Sequence, residues 1–138
     1  MPLTEADYLW EHWKFNAEQR LKAFNFFVAF SIFANGGVFT AHEKQADPFV
    51  FILLGGFVMA LALVFAVVDT RCRHLLRLSK QGLMSFEQTL DARARPFVAD
   101  SAERHPWLRF TVAFNLLFLM QFIFGALCVG YGLWRLSP

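Results

Sequence analysis

The chain has 138 residues, room for one domain, and is 57% hydrophobic and 17% charged, against about 45–50% and about 25% in soluble domains. Its 18 phenylalanines exclude a disordered chain, its two cysteines exclude a disulfide-stapled domain, and a net charge of +2 argues against a soluble nucleic-acid binder. None of its 24 Asp, Glu, Lys and Arg residues falls within 23–41, 48–68 or 110–134, together 65 residues. A membrane span needs about 20 mostly apolar residues, and a charge at its centre costs about 2.5–3.5 kcal/mol. Buried helices of a soluble bundle would show a polar face every 3.6 residues, whereas 49–68 is apolar all round. The expected fold is all-α, a single membrane domain with three transmembrane helices plus N-terminal and inter-span cytoplasmic helices.

Residues 1–22 carry Glu5, Asp7, Glu11 and Glu18, unlike a signal peptide, and Met1-Pro2-Leu3 lacks the glycine that myristoylation needs. Thr4 and Asp7 have capping-box spacing, and no Gly or Pro interrupts the chain from Glu5 to Gly36. One helix over about 5–35 is predicted, its first half outside the membrane. Leu9, Trp13, Ala17, Leu21 and Phe24 form its apolar stripe, with Glu11, Lys14, Glu18 and Lys22 opposite. That mixed charge favours packing on the 69–109 loop over lying among headgroups.

The first span, 23–41, is weakened at its end by Asn35-Gly36-Gly37, and 42–47 forms an outer turn. Pro48 starts the second helix, so spans one and two make an antiparallel hairpin. The second helix passes beyond its span (48–68) to about Gln81. Gly82 then serves as a C-cap, and Ser85 with Gln88 starts a new helix over about 86–95 that stops at Pro96. In the competing reading, Cys72, Leu76, Ser79, Leu83, Phe86 and Leu90 form the seam of one unbroken helix. Residues 96–106 read as an irregular return. The third span, 110–134, is bracketed by Trp107 and Trp134, and 135–138 form an outer tail.

Lys14, Arg20, Lys22 and eight basic residues of 69–109 share one side, against Lys44 and Arg135 on the other. The positive-inside rule puts the N-terminus and the long loop in the cytoplasm and the C-terminus outside. Cys72 and Cys128 then sit at different depths, as small apolar fillers. Within the spans lie Asn25, Ser31, Asn35, Asn115 and Gln121, which read as interhelical glue or, alternatively, as the lining of a water-filled path. Gly56 with Ala60, Ala62 with Ala66, and Gly125 with Gly132 mark close helix contacts, more than one three-helix unit can satisfy, so a homo-oligomer is expected. Arg71, Arg73, Arg77 and Lys80 form a basic patch for anionic headgroups, and Asp69 is placed to pair with Arg73. His74 and His105 could approach each other near the surface, but no metal-ligand spacing accompanies them. No catalytic constellation is visible, and no enzyme activity, cofactor, metal or nucleic-acid partner is expected.

The run Trp13-Lys14-Phe15-Asn16-Ala17-Glu18-Gln19-Arg20-Leu21-Lys22 leads into Asn25-Phe26-Phe27, and the second span exits through Asp69-Thr70-Arg71-Cys72-Arg73-His74-Leu75-Leu76. Over about residues 8–90 this layout resembles small bacterial two-span effectors of the SLATT type and RipA-family octameric membrane proteins. A pore-forming accessory of an RNA-guided RNA nuclease is similar to these families. The third span departs from the two-span pattern. The resemblance implies self-assembly in the bacterial inner membrane and permeabilisation in phage defence or stress. The expected function is thus a homo-oligomer that forms or gates a pore, with span one lining it. The alternative is a non-catalytic anchor or structural subunit that recruits a cytoplasmic protein partner.

Overall fold

The computed structural model describes residues 4–91, 95–102 and 110–137. It contains four helices, α1 (Glu5–Glu43), α2 (Pro48–Glu87), α3 (Pro96–Ala102) and α4 (Phe110–Leu136), with no strand among the described residues. Three of them, α1, α2 and α4, are long and apolar enough to cross a membrane, with mean hydropathies of 1.4, 2.9 and 2.2. Only 22% of the most apolar stretch of each is buried, so most of each span faces outward, as a lipid-embedded helix can. At 1.5 Å per residue α1 and α2 are each about 60 Å long, twice a hydrocarbon core of about 30 Å. Both continue beyond it at the basic end as a paired stem.

The start of α1 follows the expected capping box: Asp7 N–H donates to Thr4 Oγ1 (3.3 Å) and Thr4 N–H to Asp7 Oδ2 (3.1 Å). Its end differs from expectation. The helix passes through Gly36 and Gly37 and stops only at Glu43, because hydrocarbon offers no water to satisfy backbone groups that a break would free. The turn is correspondingly shorter than 42–47. Ala46 N–H donates to Ala41 O (2.9 Å) and Gln45 N–H to His42 O (3.1 Å), the paired bonds of a Schellman motif. Gln45 holds the left-handed position, φ 50°, where glycine is usual. Asp47 then caps α2 by accepting from Phe49 N–H (2.8 Å), and Pro48 occupies the first turn.

The predicted break at Gly82 does not occur; α2 runs unbroken to Glu87. Gly82 is a contact residue. A β-carbon there would lie 2.7 Å from Leu9 Cδ1, so its missing side chain lets α1 and α2 approach. Ser85 bonds back to Gln81 O (3.0 Å) and starts no helix. The inward stripe is Asp69, Cys72, Ser79, Leu83 and Glu87, while Phe86 and Leu90 of the alternative seam are exposed. On α1, Leu21 is likewise exposed, and the neighbouring Arg20 turns inward because Asp69 lies opposite. The return segment contains a short helix, α3, where an irregular chain was expected. Its first amides, Phe97 N–H (3.2 Å) and Val98 N–H (3.1 Å), donate to the Glu87 carboxylate of α2. Phe97 meets Trp10 and Trp13 edge-on, so the N-terminal part of α1 packs against protein at this point.

Within the membrane α2 packs along both α1 and α4, which meet each other over a short stretch. Phe27, Ala62, Phe114 and Phe118 form one core cluster, and Val38, Ala41, Phe51 and Cys128 a second nearer the far end. Phe24 stacks on Phe114 at 3.8 Å. The α2–α4 crossing is made by glycines. A β-carbon on Gly55 would lie 2.6 Å from Gly125 O, and one on Gly132 2.8 Å from Pro48 O. Gly55, absent from the expected contact set, is therefore the α2 contact residue. Its neighbour Gly56 points into open space, and Ala60 is exposed.

Candidate functional site

Charged and polar side chains inside the bundle collect at three levels. At the basic edge of the spans, Asp69 has only 5% of its side chain exposed and meets two arginines. Arg20 Nε donates to Oδ1 (2.6 Å) and Arg20 Nη2 lies 3.4 Å from Oδ2. Arg73, one turn along α2 as expected, brings Nε to 3.0 Å from Oδ2. Arg20 also donates to Thr111 Oγ1 (3.3 Å) and lies over the Phe114 ring, 4.9 Å from its centroid. One carboxylate thereby fastens α1 to α2, and its partner Arg20 reaches α4. Burial, reinforced by the Asp69 charge and opposed by Arg20, raises the pKa of the adjacent Cys72 thiol.

The second level is at mid-membrane. Asn35 Nδ2 donates to Gln121 Oε1 (3.3 Å) and Gln121 Nε2 to Asn35 Oδ1 (2.7 Å), a reciprocal amide pair between α1 and α4. One turn earlier Ser31, 8% exposed, has a buried hydroxyl with no hydrogen-bond partner in the structure. All three line a cavity of about 320 Å³ between α1 and α4, walled by Phe27, Met120 and Phe124. The third level is in the stem. The His12 ring shares a hydrogen bond with buried Ser79, and Asn16 Nδ2 donates to His12 O (2.8 Å).

The remaining expected site residues are dispersed. Asn25 and Asn115 are exposed, each following a ring of the Phe24–Phe114 stack. Ala62 is buried, Ala66 is partly buried against the same core, and Gly125 and Gly132 face α2. Arg71 and Arg77 are exposed, while Lys80 pairs with Asp100 of α3, so the basic patch is divided between protein and surroundings. Arg93, Arg104, His105, Trp107 and Arg109 lie outside the described residues. Among the described residues no group of three or more His, Cys, Asp or Glu could hold a metal. Sequence reasoning missed Arg20 and His12 as interior groups, while Ser79 was placed inward only by the competing seam. The only signal for Arg20 is its seven-residue spacing from Trp13 and Phe27, both inward-facing. No known protein family, characterised protein or solved structure matches this chain.

Proposed function

We propose that the protein is a homo-oligomeric membrane protein whose assembly forms or gates a pore, with α1 lining it and the basic stem in the cytoplasm coupling it to a signal. The observation that carries this reading is the mid-membrane cavity between α1 and α4. Its Ser31 hydroxyl lacks a partner, and its amide pair lines walls built from α1 and α4 residues. Polar groups at that depth are costly against lipid tails and are satisfied by another helix or by water. The exposed Gly56–Ala60 pair supplies a small-residue face on which a second copy can approach closely. The positive-inside asymmetry supports a cytoplasmic stem, and the layout resemblance supports a bacterial inner-membrane effector of defence or stress. Membrane anchorage of a cytoplasmic partner is the second reading. It is favoured by Tyr8 and Phe15, seven residues apart on one face of the stem and 61% and 60% exposed.

The test is the mass and symmetry of the purified full-length particle in detergent, with ion leakage from liposomes. Rings that leak, and that leak less with Ser31→Leu, are expected. A strictly monomeric particle refutes the assembly. Copurification of one soluble partner without leakage favours the anchor.

A further inference from the structure

Five basic residues stand at the edge of the spans: Arg20, Lys22, Arg71, Arg73 and Arg77. Arg20 and Arg73 are held by Asp69. Lys22 and Arg71 have no ion pair among the described residues. The Arg20–Asp69 contact puts residue 20 of α1 level with residue 69 of α2. At 1.5 Å per residue, Lys22 is then about 3 Å to the membrane side of that level and Arg71 about 3 Å to the other. Both fall within the height of a single headgroup.

Beside them a groove runs between α1 and α2, lined among the described residues by side chains of these two helices alone. Its volume is about 420 Å³. Gln19 and Lys22 stand at its mouth, Phe26 and Phe65 follow, and Phe30 is the deepest of its α1 residues. From Gln19 to Phe30 the groove follows α1 for about 16 Å. Val68 and Cys72 form its α2 wall, and Arg71 lies between them in sequence, three residues beyond Val68. One cation, Lys22, and the Gln19 amide at headgroup depth thus open onto an apolar slot directed into the hydrocarbon, and Arg71, outside the lining, stands one residue before its wall residue Cys72. That arrangement matches an anion covalently joined to an alkyl chain.

We propose that this groove binds one anionic phospholipid, its phosphate held by Lys22, Arg71 and the Gln19 amide and one acyl chain laid over Phe26, Phe30 and Phe65. Attraction of a basic residue to an anionic membrane surface corresponds to about a fivefold change in affinity per charge, and about twenty-five-fold for two.

Native mass spectrometry of the full-length protein, after exchange between phosphatidylglycerol and phosphatidylcholine, measures the retained lipid directly. Wild type is expected to keep phosphatidylglycerol in preference to phosphatidylcholine. Lys22→Gln or Arg71→Gln should weaken retention about fivefold, and the double variant about twenty-five-fold, with helicity unchanged by circular dichroism. Ala23→Trp, which fills the groove and leaves both charges in place, should abolish retention. Lys14→Gln, out on the stem, should have no effect. Equal retention of the two lipids, or wild-type retention by the double variant, overturns the proposal. Displacement by excess inorganic phosphate would instead identify a free-anion site and overturn it equally.

Discussion

Replacing Asp69 tests the central packing argument, because this one carboxylate compensates two arginines. Asp69→Asn keeps the shape and removes the charge, leaving Arg20 (14% of its side chain exposed) and Arg73 (22%) facing each other without an anion. Two unit charges about 4 Å apart at an effective dielectric constant of about 20 interact by about 4 kcal/mol. Breaking a buried pair from one side typically costs about 3–5 kcal/mol. Arginine can lift its head toward the membrane surface and recover part of this, so the lower end, about 3 kcal/mol, is expected. Arg20→Gln should cost less, about 2 kcal/mol, because Arg73 still compensates Asp69. Arg73→Gln should cost least, under about 1 kcal/mol, since its remaining contact is an exposed bond to Thr70. Unfolding in mixed micelles titrated with dodecyl sulfate, followed by circular dichroism and by fluorescence of the Trp10–Trp13–Phe97 cluster, gives all three values. The double variant Arg20→Gln/Asp69→Asn should fall short of additivity by at least about 1.5 kcal/mol. A loss below about 1 kcal/mol for Asp69→Asn, or a larger effect of Arg73→Gln than of Arg20→Gln, would refute the assignment of Asp69 as the shared lock.

The neighbouring glycines of α2 make a second test in the same assay. Gly55→Ala should destabilise by about 1–3 kcal/mol, because the new methyl would meet the Gly125 carbonyl. Gly56→Ala, into open space, should be neutral or stabilising within the protomer. At the turn, Gln45→Gly should stabilise by about 0.5–1 kcal/mol by relieving the left-handed backbone; a loss of stability would contradict that geometry. The hydrogen bonds from Thr4 lower the Asp7 pKa below its ordinary value of 3.8. This cap is therefore fully present above that value and lost as the pH falls through the lowered one. Amide exchange in the first turn of α1 should accelerate in acid only below that point.

The sequence places Asp69 one turn from Arg73, and Thr4 three residues from Asp7, because such pairs lie within one helix and follow from its period alone. The Asn35–Gln121 pair joins residues 86 apart, and Arg20 meets Asp69 across 49. No periodicity within a single element encodes these meetings. Gly82 shows how a local rule is overridden. Glycine beyond a run of helix formers reads as a cap, but close packing on Leu9 is available only if the helix continues, and the tertiary contact prevails.

The three spans are fixed by the sequence itself. The exclusion of 24 charges from 65 residues reflects a solvent that penalises each charge wherever the helix happens to turn. Rotation and register of the helices belong to the tertiary structure. Gly55 and Gly56 are adjacent and chemically identical, yet about 100° apart around the axis. Only the packing of α4 decides that one is a contact and the other faces out of the protomer.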